Sequence, residues 1–315
     1  MSKEIQTVCG PISPSELGFT QPHEHTLVDY HGEPGNPDRN IYIADRVVCE
    51  ENLVINELKY YRDAGGKSIA DVTNIGLGRN PEGVKRISEA SGVNVILGSG
   101  WYLQNHYPDY IWERSVDTLA RMIIKEFKEG IDGTGIKPGI IGEIGTYRNY
   151  ISPAEERVFR ACSIAQKEIG AAITTHTTHF GELALEQIEI FKKENVDMTR
   201  VIIGHLGDNF SIQRYLPIAE TGVWLEIDHI GFTPPLVPMT EEQRVNNIIA
   251  LIEKGYLNKI MLSLDICHNS HFHYFGGRGY DYLIKKFLSI FRKKGGTEEM
   301  IHTMMVENPS KALAF

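Results

Sequence analysis

Eight short apolar segments, rich in Val and Ile, recur along the chain and are separated by amphipathic stretches. They lie near residues 19–25, 68–73, 94–100, 139–146, 171–177, 201–206, 223–229 and 260–265. Several are almost continuously apolar, which is typical of parallel strands that are buried on both faces. Parallel neighbours need a long crossover connection, usually a helix. This alternation therefore constrains the fold class more than any other feature and predicts an α/β protein.

The stretches between these segments carry helix signals. Residues 154–169 are apolar at helical spacing, and the Ser-Pro-x-Glu sequence that starts at Ser152 supplies an N-cap, a Pro in the first turn and a capping-box Glu. Thr240 and Gln243 form a second capping box, and residues 283–291 repeat the helical spacing. We therefore predict a helix in each of these places.

Eight strands that alternate with helices predict one closed (β/α)8 TIM barrel, as a single domain over residues 1–315. No Ser/Pro-rich linker or low-complexity stretch interrupts the pattern. The alternative is a doubly wound open sheet, which we expect to carry a Gly-rich phosphate-binding turn after an early strand. Only Gly76 and Gly78 come near that pattern, and they lack the third glycine.

Composition and charge exclude several classes of partner. The net charge is −9, from 32 basic and 41 acidic residues, and no basic stripe is visible, so we expect no nucleic-acid partner. No apolar run approaches the roughly 18 residues of a membrane span, and the N-terminal residues lack the pattern of a signal peptide. The four cysteines form no CxxC pair and signal no disulfide framework, so we expect a cytoplasmic protein. We expect its partner to be a small-molecule substrate. A homodimer is left open.

Polar residues that can bind metal stand at the ends of the predicted strands. His23 and His25 are two apart, so on a strand their side chains point the same way. The other such residues are Glu143, His176, His205 and Asp265, with Asp208, Asp228 and His229 at the same level. One histidine at a strand end is more often structural than a ligand. Six groups at equivalent ends, which a barrel brings to one mouth, are better explained by a metal site.

Four imidazoles and two carboxylates without a thiolate suit borderline divalent ions such as Zn²⁺, with Mn²⁺ and Co²⁺ as alternatives. Six side chains are too many for one catalytic ion that keeps an open position. They suit two ions about 3.5–4 Å apart, bridged by a carboxylate and a hydroxide. Glu143 is the natural bridge, because it stands alone at the mouth with two oxygens to share.

Several motifs in this order resemble the phosphotriesterase family of the amidohydrolase superfamily. They are GPISPSELGFTQPHEH, EIGT, THT, GHLGD, LSLDICH and the late GGRGYDYL and ENPS, and they cover nearly the whole chain. Among the branches of the family, the chain most resembles the bacterial phosphotriesterase homology proteins. In phosphotriesterases proper the bridging position is a carboxylated lysine, whereas here it is Glu143.

The resemblance implies a role for each of these residues. It implies that His23, His25 and Asp265 hold the more buried ion, that His176 and His205 hold the other, and that Glu143 bridges the two. It also implies that Asp265 accepts the proton that the bridging water loses when it becomes the attacking hydroxide. Asp208 and His229 match the proton relay of the family, although a purely structural role for His229 is left open.

The resemblance favours hydrolysis of an ester-like bond, with a lactone as the preferred substrate class and a phosphorylated sugar lactone as one form of it. Phosphotriesters, other phosphoesters and amides are the alternatives. A non-enzymatic metal-binding protein is disfavoured, because all six ligand positions are intact. Trp101 and Tyr102 are predicted to line the substrate pocket, and Arg148 and Arg278 are candidates for binding an anionic group.

Overall fold

Parallel strands alternate with helices along the residues that the computed structural model describes, which are 3–30, 43–178, 181–232 and 239–315. The strands are β1 (Ile5–Thr7), β2 (Gly10–Ile12), β3 (Thr20–Glu24), β4 (Val28–Asp29), β5 (Val47–Val48), β6 (Ser68–Asp71), β7 (Asn94–Ser99), β8 (Ile140–Gly145), β9 (Ile173–His176), β10 (Val201–Ile203), β11 (Trp224–Ile227) and β12 (Ile260–Leu262). The helices are α1 (Glu51–Asp63), α2 (Pro81–Ser91), α3 (Tyr110–Glu113), α4 (Val116–Glu129), α5 (Pro153–Ile169), α6 (Ala184–Lys193), α7 (Ile212–Ala219), α8 (Glu241–Glu253), α9 (Leu288–Lys293), α10 (Glu298–His302) and α11 (Asn308–Leu313).

Eight of the strands form one sheet in the order β3-β6-β7-β8-β9-β10-β11-β12, and each pair of neighbours is parallel. Each of the eight predicted segments contains one of these strands. These eight strands follow one another in the sheet in the order in which they occur in the chain, which is the connectivity of a (β/α)8 barrel. The predicted TIM barrel is confirmed, and the doubly wound open sheet is excluded.

The first and last strands of the sheet meet through hydrogen bonds that close the barrel. The hydroxyl of Ser263 lies 3.0 Å from the amide nitrogen of His23 and 2.8 Å from its carbonyl oxygen. The carboxylate of Glu24 accepts hydrogen bonds from the backbone amides of Leu264, at 2.8 Å, and Ile266, at 2.7 Å. Glu24 is fully buried, and these bonds replace the water that its oxygens lose.

Successive residues of a barrel strand face opposite sides, and the packing follows this alternation. In β10, Val201 and Ile203 pack in the large apolar cluster between strands and helices, whereas Ile202 belongs to a smaller cluster with Ala70 and Met261 inside the barrel. Below the carboxyl ends of the strands, the interior is therefore filled with apolar side chains. The imidazoles and carboxylates of the predicted ligand set lie at the mouth above it.

The predicted helix signals form as expected at two places. The Ser152 hydroxyl accepts from the Glu155 amide at 3.2 Å, and the Glu155 carboxylate accepts from the Ser152 amide at 2.8 Å. Thr240 and Gln243 make the same reciprocal pair at the start of α8. The third predicted helix differs in detail, because its first turn over Leu283–Phe287 is π-helical before α9 begins. Within the described ranges, no helix has both the length and the apolarity needed to cross a bilayer.

Three polar residues follow their strands instead of ending them. His205, His229 and Asp265 come two or three residues after the last strand positions of β10, β11 and β12, at φ values of 56°, 57° and 55°. This left-handed region costs non-glycine residues roughly 1–2 kcal/mol each. The cost is sustained where the surrounding contacts determine the backbone. The bend turns these three side chains over the mouth of the barrel.

Candidate metal centre

The carboxylate of Glu143, in β8, stands in the middle of four imidazoles. Its Oε2 lies 3.4 Å from His23 Nε2, 3.1 Å from His176 Nδ1 and 3.4 Å from His205 Nε2. Its Oε1 lies 3.4 Å from His25 Nε2. The structure therefore brings the predicted bridging carboxylate within reach of all four predicted histidines. Burial by itself would raise the pKa of Glu143, but the imidazoles around it hold that pKa well below its ordinary value.

The six predicted ligands form two groups that meet at Glu143. His23, His25 and Asp265 offer ligand atoms within 4.8 Å of one another, and so do Glu143, His176 and His205. His25 Nε2 lies 3.3 Å from Asp265 Oδ1. Each group has three or more nitrogen and oxygen donors, which is the number that protein sites for one catalytic divalent ion provide.

Two orphaned nitrogen atoms show that these side chains fit metal ions. The Nε2 atoms of His23 and His25 are buried and make no hydrogen bond to any residue of the described ranges. A buried polar atom without a partner costs about 1–3 kcal/mol. A divalent ion beside the Glu143 carboxylate would give both atoms a ligand bond. The burial, the donor types and the orphaned atoms therefore fit a pair of divalent metal ions.

The opposite nitrogen of each of these rings is held by a buried partner. His23 Nδ1 lies 2.9 Å from Glu226 Oε2, and His25 Nδ1 lies 2.8 Å from the Thr73 hydroxyl. The Nδ1 of a third ring, that of His205, lies 3.0 Å from Asp228 Oδ1. Partners of this kind fix the ring orientation and would aim Nε2 at a bound metal ion.

Sequence reasoning noted Asp228 but missed Glu226 and Thr73. The signal for Glu226 was available: it stands two residues before Asp228 on an otherwise apolar strand, so both carboxylates face the same side of the sheet. Thr73 carries no comparable signal, because a threonine at the end of a strand is common.

A chain of hydrogen bonds leads from Asp265 away from the centre. His229 Nε2 lies 3.1 Å from Asp265 Oδ2, and His229 Nδ1 lies 2.7 Å from Asp208 Oδ2. Asp208 is in turn 3.4 Å from Arg244, a fully buried residue of α8 whose Nε donates to the Gly207 carbonyl. Burial by itself would lower the pKa of His229, but its bonds to the two aspartates raise that pKa well above its ordinary value. Sequence reasoning missed Arg244, although an arginine among the apolar positions of a helix is a signal that it has a buried acidic partner.

A cavity of about 570 Å³ opens over these residues. Its described lining residues are Tyr30, Arg46, Tyr102, Leu103, Asn105, His106, Thr146, Tyr147, His176, Thr177, Thr178, His205, His229, Phe232, Asp265, Cys267 and His268. Tyr102 lies where sequence reasoning expected it, with its hydroxyl 3.3 Å from His176 Nδ1. The cavity therefore gives a small molecule access to both groups of ligands.

The other three predicted substrate contacts do not belong to the described wall of this cavity. Trp101 is completely buried and donates from Nε1 to the Tyr110 hydroxyl at 2.9 Å. Its side chain points to the side opposite that of Tyr102, the next residue, and therefore away from the cavity. Arg148 is exposed near the Tyr147 ring and lines a separate pocket of about 100 Å³.

Arg278 is the third of these residues. Its guanidinium lies 4.4 Å from the centre of the Phe232 ring, and its Nη2 donates to the Leu264 carbonyl at 3.1 Å. These contacts direct the guanidinium toward the backbone beside Asp265. In the structure Arg278 braces the loop that carries Asp265 and does not present its charge to the cavity.

A (β/α)8 barrel whose strand ends gather histidines and acids beneath an open cavity defines a class of barrel hydrolases with metal-binding residues at the mouth. Residues 3–313 match the family model of the phosphotriesterase family, and the chain belongs to that family. The phosphotriesterase homology protein of Escherichia coli is 34% identical over 297 residues, which are 93% of this chain and 97% of that protein. Its crystal structure with phosphate in the active site matches with a TM-score of 0.87 at 33% identity, covering 94% of this chain and 98% of that one.

Two further relatives carry names that state an activity. The N-acetyltaurine hydrolase of Tetraodon nigroviridis is 29% identical and covers 100% of this chain and 99% of its own length. A lactonase from Listeria monocytogenes matches with a TM-score of 0.90 at 28% identity, covering 99% of each chain. These proteins share the fold and nearly the full length of this chain but differ in the bond that their names say they act on.

Proposed function

We propose that this protein hydrolyses a carboxylic ester at a pair of divalent cations, with lactones as the preferred substrate class. One observation carries the proposal: a single buried carboxylate, Glu143, lies between two groups of ligands beneath a cavity of about 570 Å³. When bound there, two cations would supply an activated water as nucleophile and polarise the scissile carbonyl.

The six predicted ligands would be divided between the two ions. His23, His25 and Asp265 would hold the deeper ion, His176 and His205 the ion nearer the cavity, and Glu143 both. His176 is the most exposed of the four imidazoles, with 21% of its side chain exposed, so an ion held by it would be accessible to the substrate.

Proton movement is assigned to Asp265 and the residues behind it. The Oδ2 of Asp265 can accept a proton released by the nucleophile and pass it to Nε2 of His229, 3.1 Å away, when that imidazole is neutral. Asp208 then stabilises the imidazolium from its Nδ1 side, and Arg244, 3.4 Å from Asp208 Oδ1, holds that carboxylate in place. The same route run in reverse can return a proton to a leaving group.

The aromatic lining of the cavity supports a flat cyclic ester. Tyr30, Tyr102 and Phe232 are aromatic members of its wall, and such rings pack against planar apolar groups. The full-length similarity to a lactonase supports the same substrate class.

Amide hydrolysis is the second candidate. The N-acetyltaurine hydrolases among the relatives align over the whole chain, and an amine leaving group needs the proton that the route through His229 can deliver. Their substrate is an acylated amine that carries a sulfonate. We therefore include N-acetyltaurine beside the lactones in the test.

The test is a hydrolysis panel on protein reconstituted with Zn²⁺, Mn²⁺ or Co²⁺. It contains neutral lactones, phosphorylated sugar lactones, N-acetyltaurine and phosphotriesters. We expect metal-dependent turnover with the highest kcat/KM on lactones, and its loss in His23→Ala. His302→Ala is the matched control, because His302 is exposed on α10. A higher kcat/KM on N-acetyltaurine would replace the lactonase with an amidase, and turnover that is independent of metal would overturn both candidates.

A further inference from the structure

The cavity over the metal centre contains one strongly cationic side chain among its described lining residues, and that side chain is Arg46. The rest of the described wall consists of aromatic rings, imidazoles, hydroxyls, an amide, a thiol, one leucine and the Asp265 carboxylate. Arg148 and Arg278, the two arginines that the sequence suggested for an anion, lie outside this wall. Among these described residues, Arg46 is therefore the one arginine or lysine that can bind a negative charge on a substrate away from the metal ions.

The backbone of Arg46 is tied down on both sides. Its carbonyl accepts from the Tyr30 amide at 3.4 Å, and the next two residues pair with β4 in an antiparallel ladder. Asp45 accepts from the backbone amide of Ser270 at 2.6 Å and from its hydroxyl at 2.8 Å. Asn269 donates to the carbonyl of Val47 at 2.8 Å. The short helical turn Ile43–Arg46 is thus anchored to the loop after β12, which also carries the cavity residues Cys267 and His268.

The guanidinium, by contrast, has no hydrogen bond or ion pair with any residue that the structure describes. Its charge reaches the cavity residue His106. Burial lowers the pKa of His106 to about 4, and the positive charge of Arg46 acts in the same direction. A fixed backbone with an uncommitted guanidinium is the arrangement of a ligand contact, because an arginine fork binds oxyanions through two parallel hydrogen bonds.

We propose that Arg46 determines substrate specificity by binding a compact oxyanion on the substrate, at a position distant from the scissile bond. The substrate class is then an acyl compound, a lactone or an amide, with a pendant carboxylate, sulfonate or phosphate. The scissile carbonyl then lies at the Glu143 centre and the anion at Arg46 on the cavity wall. This inference rests on the proposed function for the reaction but assigns a separate contact, which can be tested by itself.

The experiment compares γ-butyrolactone with three derivatives that carry a carboxylate, a sulfonate or a phosphate, on metal-loaded protein. In Arg46→Gln we expect kcat/KM to fall roughly ten- to hundredfold on the anionic derivatives, mainly through KM, with little change on the neutral lactone. Arg46→Lys keeps the charge without the fork and should recover part of the loss. The derivative with the largest loss identifies which oxyanion the site prefers.

Arg148→Gln is the matched control, because it removes an arginine that lies outside the cavity wall. Equal losses on neutral and anionic lactones in Arg46→Gln, or an anion-specific loss in Arg148→Gln alone, would overturn the assignment. Should none of the four compounds be hydrolysed, the proposed reaction fails, and calorimetric binding of the same compounds then decides the inference. Tighter binding of the anionic compounds by wild type than by Arg46→Gln supports it, and equal binding overturns it.

Discussion

Glu226 holds His23 by a contact of 2.9 Å between Oε2 and Nδ1, and both side chains are completely buried. The two residues are 203 positions apart in the chain. Because Nδ1 is occupied by Glu226, the Nε2 atom of His23 is left to face Glu143. The orientation of the deepest imidazole at the centre therefore depends on a carboxylate that is not itself one of the six predicted ligands.

Replacing Glu226 by Gln should weaken metal binding without removing a ligand. The amide keeps the shape of the side chain but loses the negative charge that strengthens His23 as a donor. We expect a tenfold to hundredfold lower metal affinity, measured by competition with a chelator. Glu253→Gln, at an exposed position of α8, is the matched control. Equal affinities in the two variants would show that Glu226 has no part in the centre.

Activity should not depend on bicarbonate during metal reconstitution. Glu143 reaches all four imidazoles directly, so no carboxylated lysine is needed. Lys137 is exposed and precedes β8, on the side of the barrel away from the mouth. Metal-free protein reloaded with Zn²⁺ should recover the same activity, and about two ions per chain, with and without bicarbonate. A clear requirement for bicarbonate would count against Glu143 as the bridge.

His229→Gln should separate a role in proton transfer from a structural role. If His229 moves the proton from Asp265, kcat should fall by roughly 10²–10⁴, while metal content and the free energy of unfolding change little. Asp208→Asn should show a smaller loss of the same kind, because Asp208 acts through His229. A variant that loses metal and stability along with activity would instead assign His229 a structural role.

Arg278→Ala should affect neutral and anionic substrates equally. The guanidinium packs on Phe232 and donates to the Leu264 carbonyl, one residue before Asp265. Its removal should disturb the loop that positions Asp265 and lower kcat/KM whatever the charge of the substrate. Measuring the same lactone pair in this variant and in Arg46→Gln makes the comparison direct. An anion-specific loss in Arg278→Ala would return this residue to the binding site.

Acid should destabilise the fold through His271. Burial, with the nearby charge of Arg278, lowers the pKa of His271 to about 2, and its Nδ1 accepts a hydrogen bond from the Cys267 amide at 3.3 Å. The unfolded chain binds this proton near pH 6.5. The contribution of neutral His271 is therefore complete above pH 6.5 and is lost as the pH falls from there toward 2, by up to about 1.4 kcal/mol per pH unit.

Chemical denaturation at several pH values between 4 and 7 checks this expectation. His271→Asn cannot titrate, so its free energy of unfolding should fall less steeply with acid than that of wild type. Both proteins are compared at the same metal content, because metal binding also depends on pH. Parallel slopes in the two proteins would show that His271 is not held neutral in the fold.

Much of the barrel and the candidate ligand set could be predicted from local patterns. The apolar segments and capping boxes are periodic over a few residues, and the mouth of a barrel collects whatever follows its strands. The structure accordingly brings together His23, His25, Glu143, His176 and Asp265 with His205. The exact ends of the strands were less predictable, because His205, His229 and Asp265 leave the ladder through a left-handed bend that depends on their contacts.

What the sequence determined by itself is the order of strands and helices and the kinds of side chain at the strand ends, since these follow from short-range periodicity. Only the tertiary structure decided which partner each group meets: Glu226 for His23, and Arg46 in place of Arg278 at the cavity. Neither the Glu226–His23 contact nor the position of Arg46 has a local signal, because each depends on residues from separate strands or loops. Their distance depends on how the whole barrel closes and on how its loops pack across the mouth.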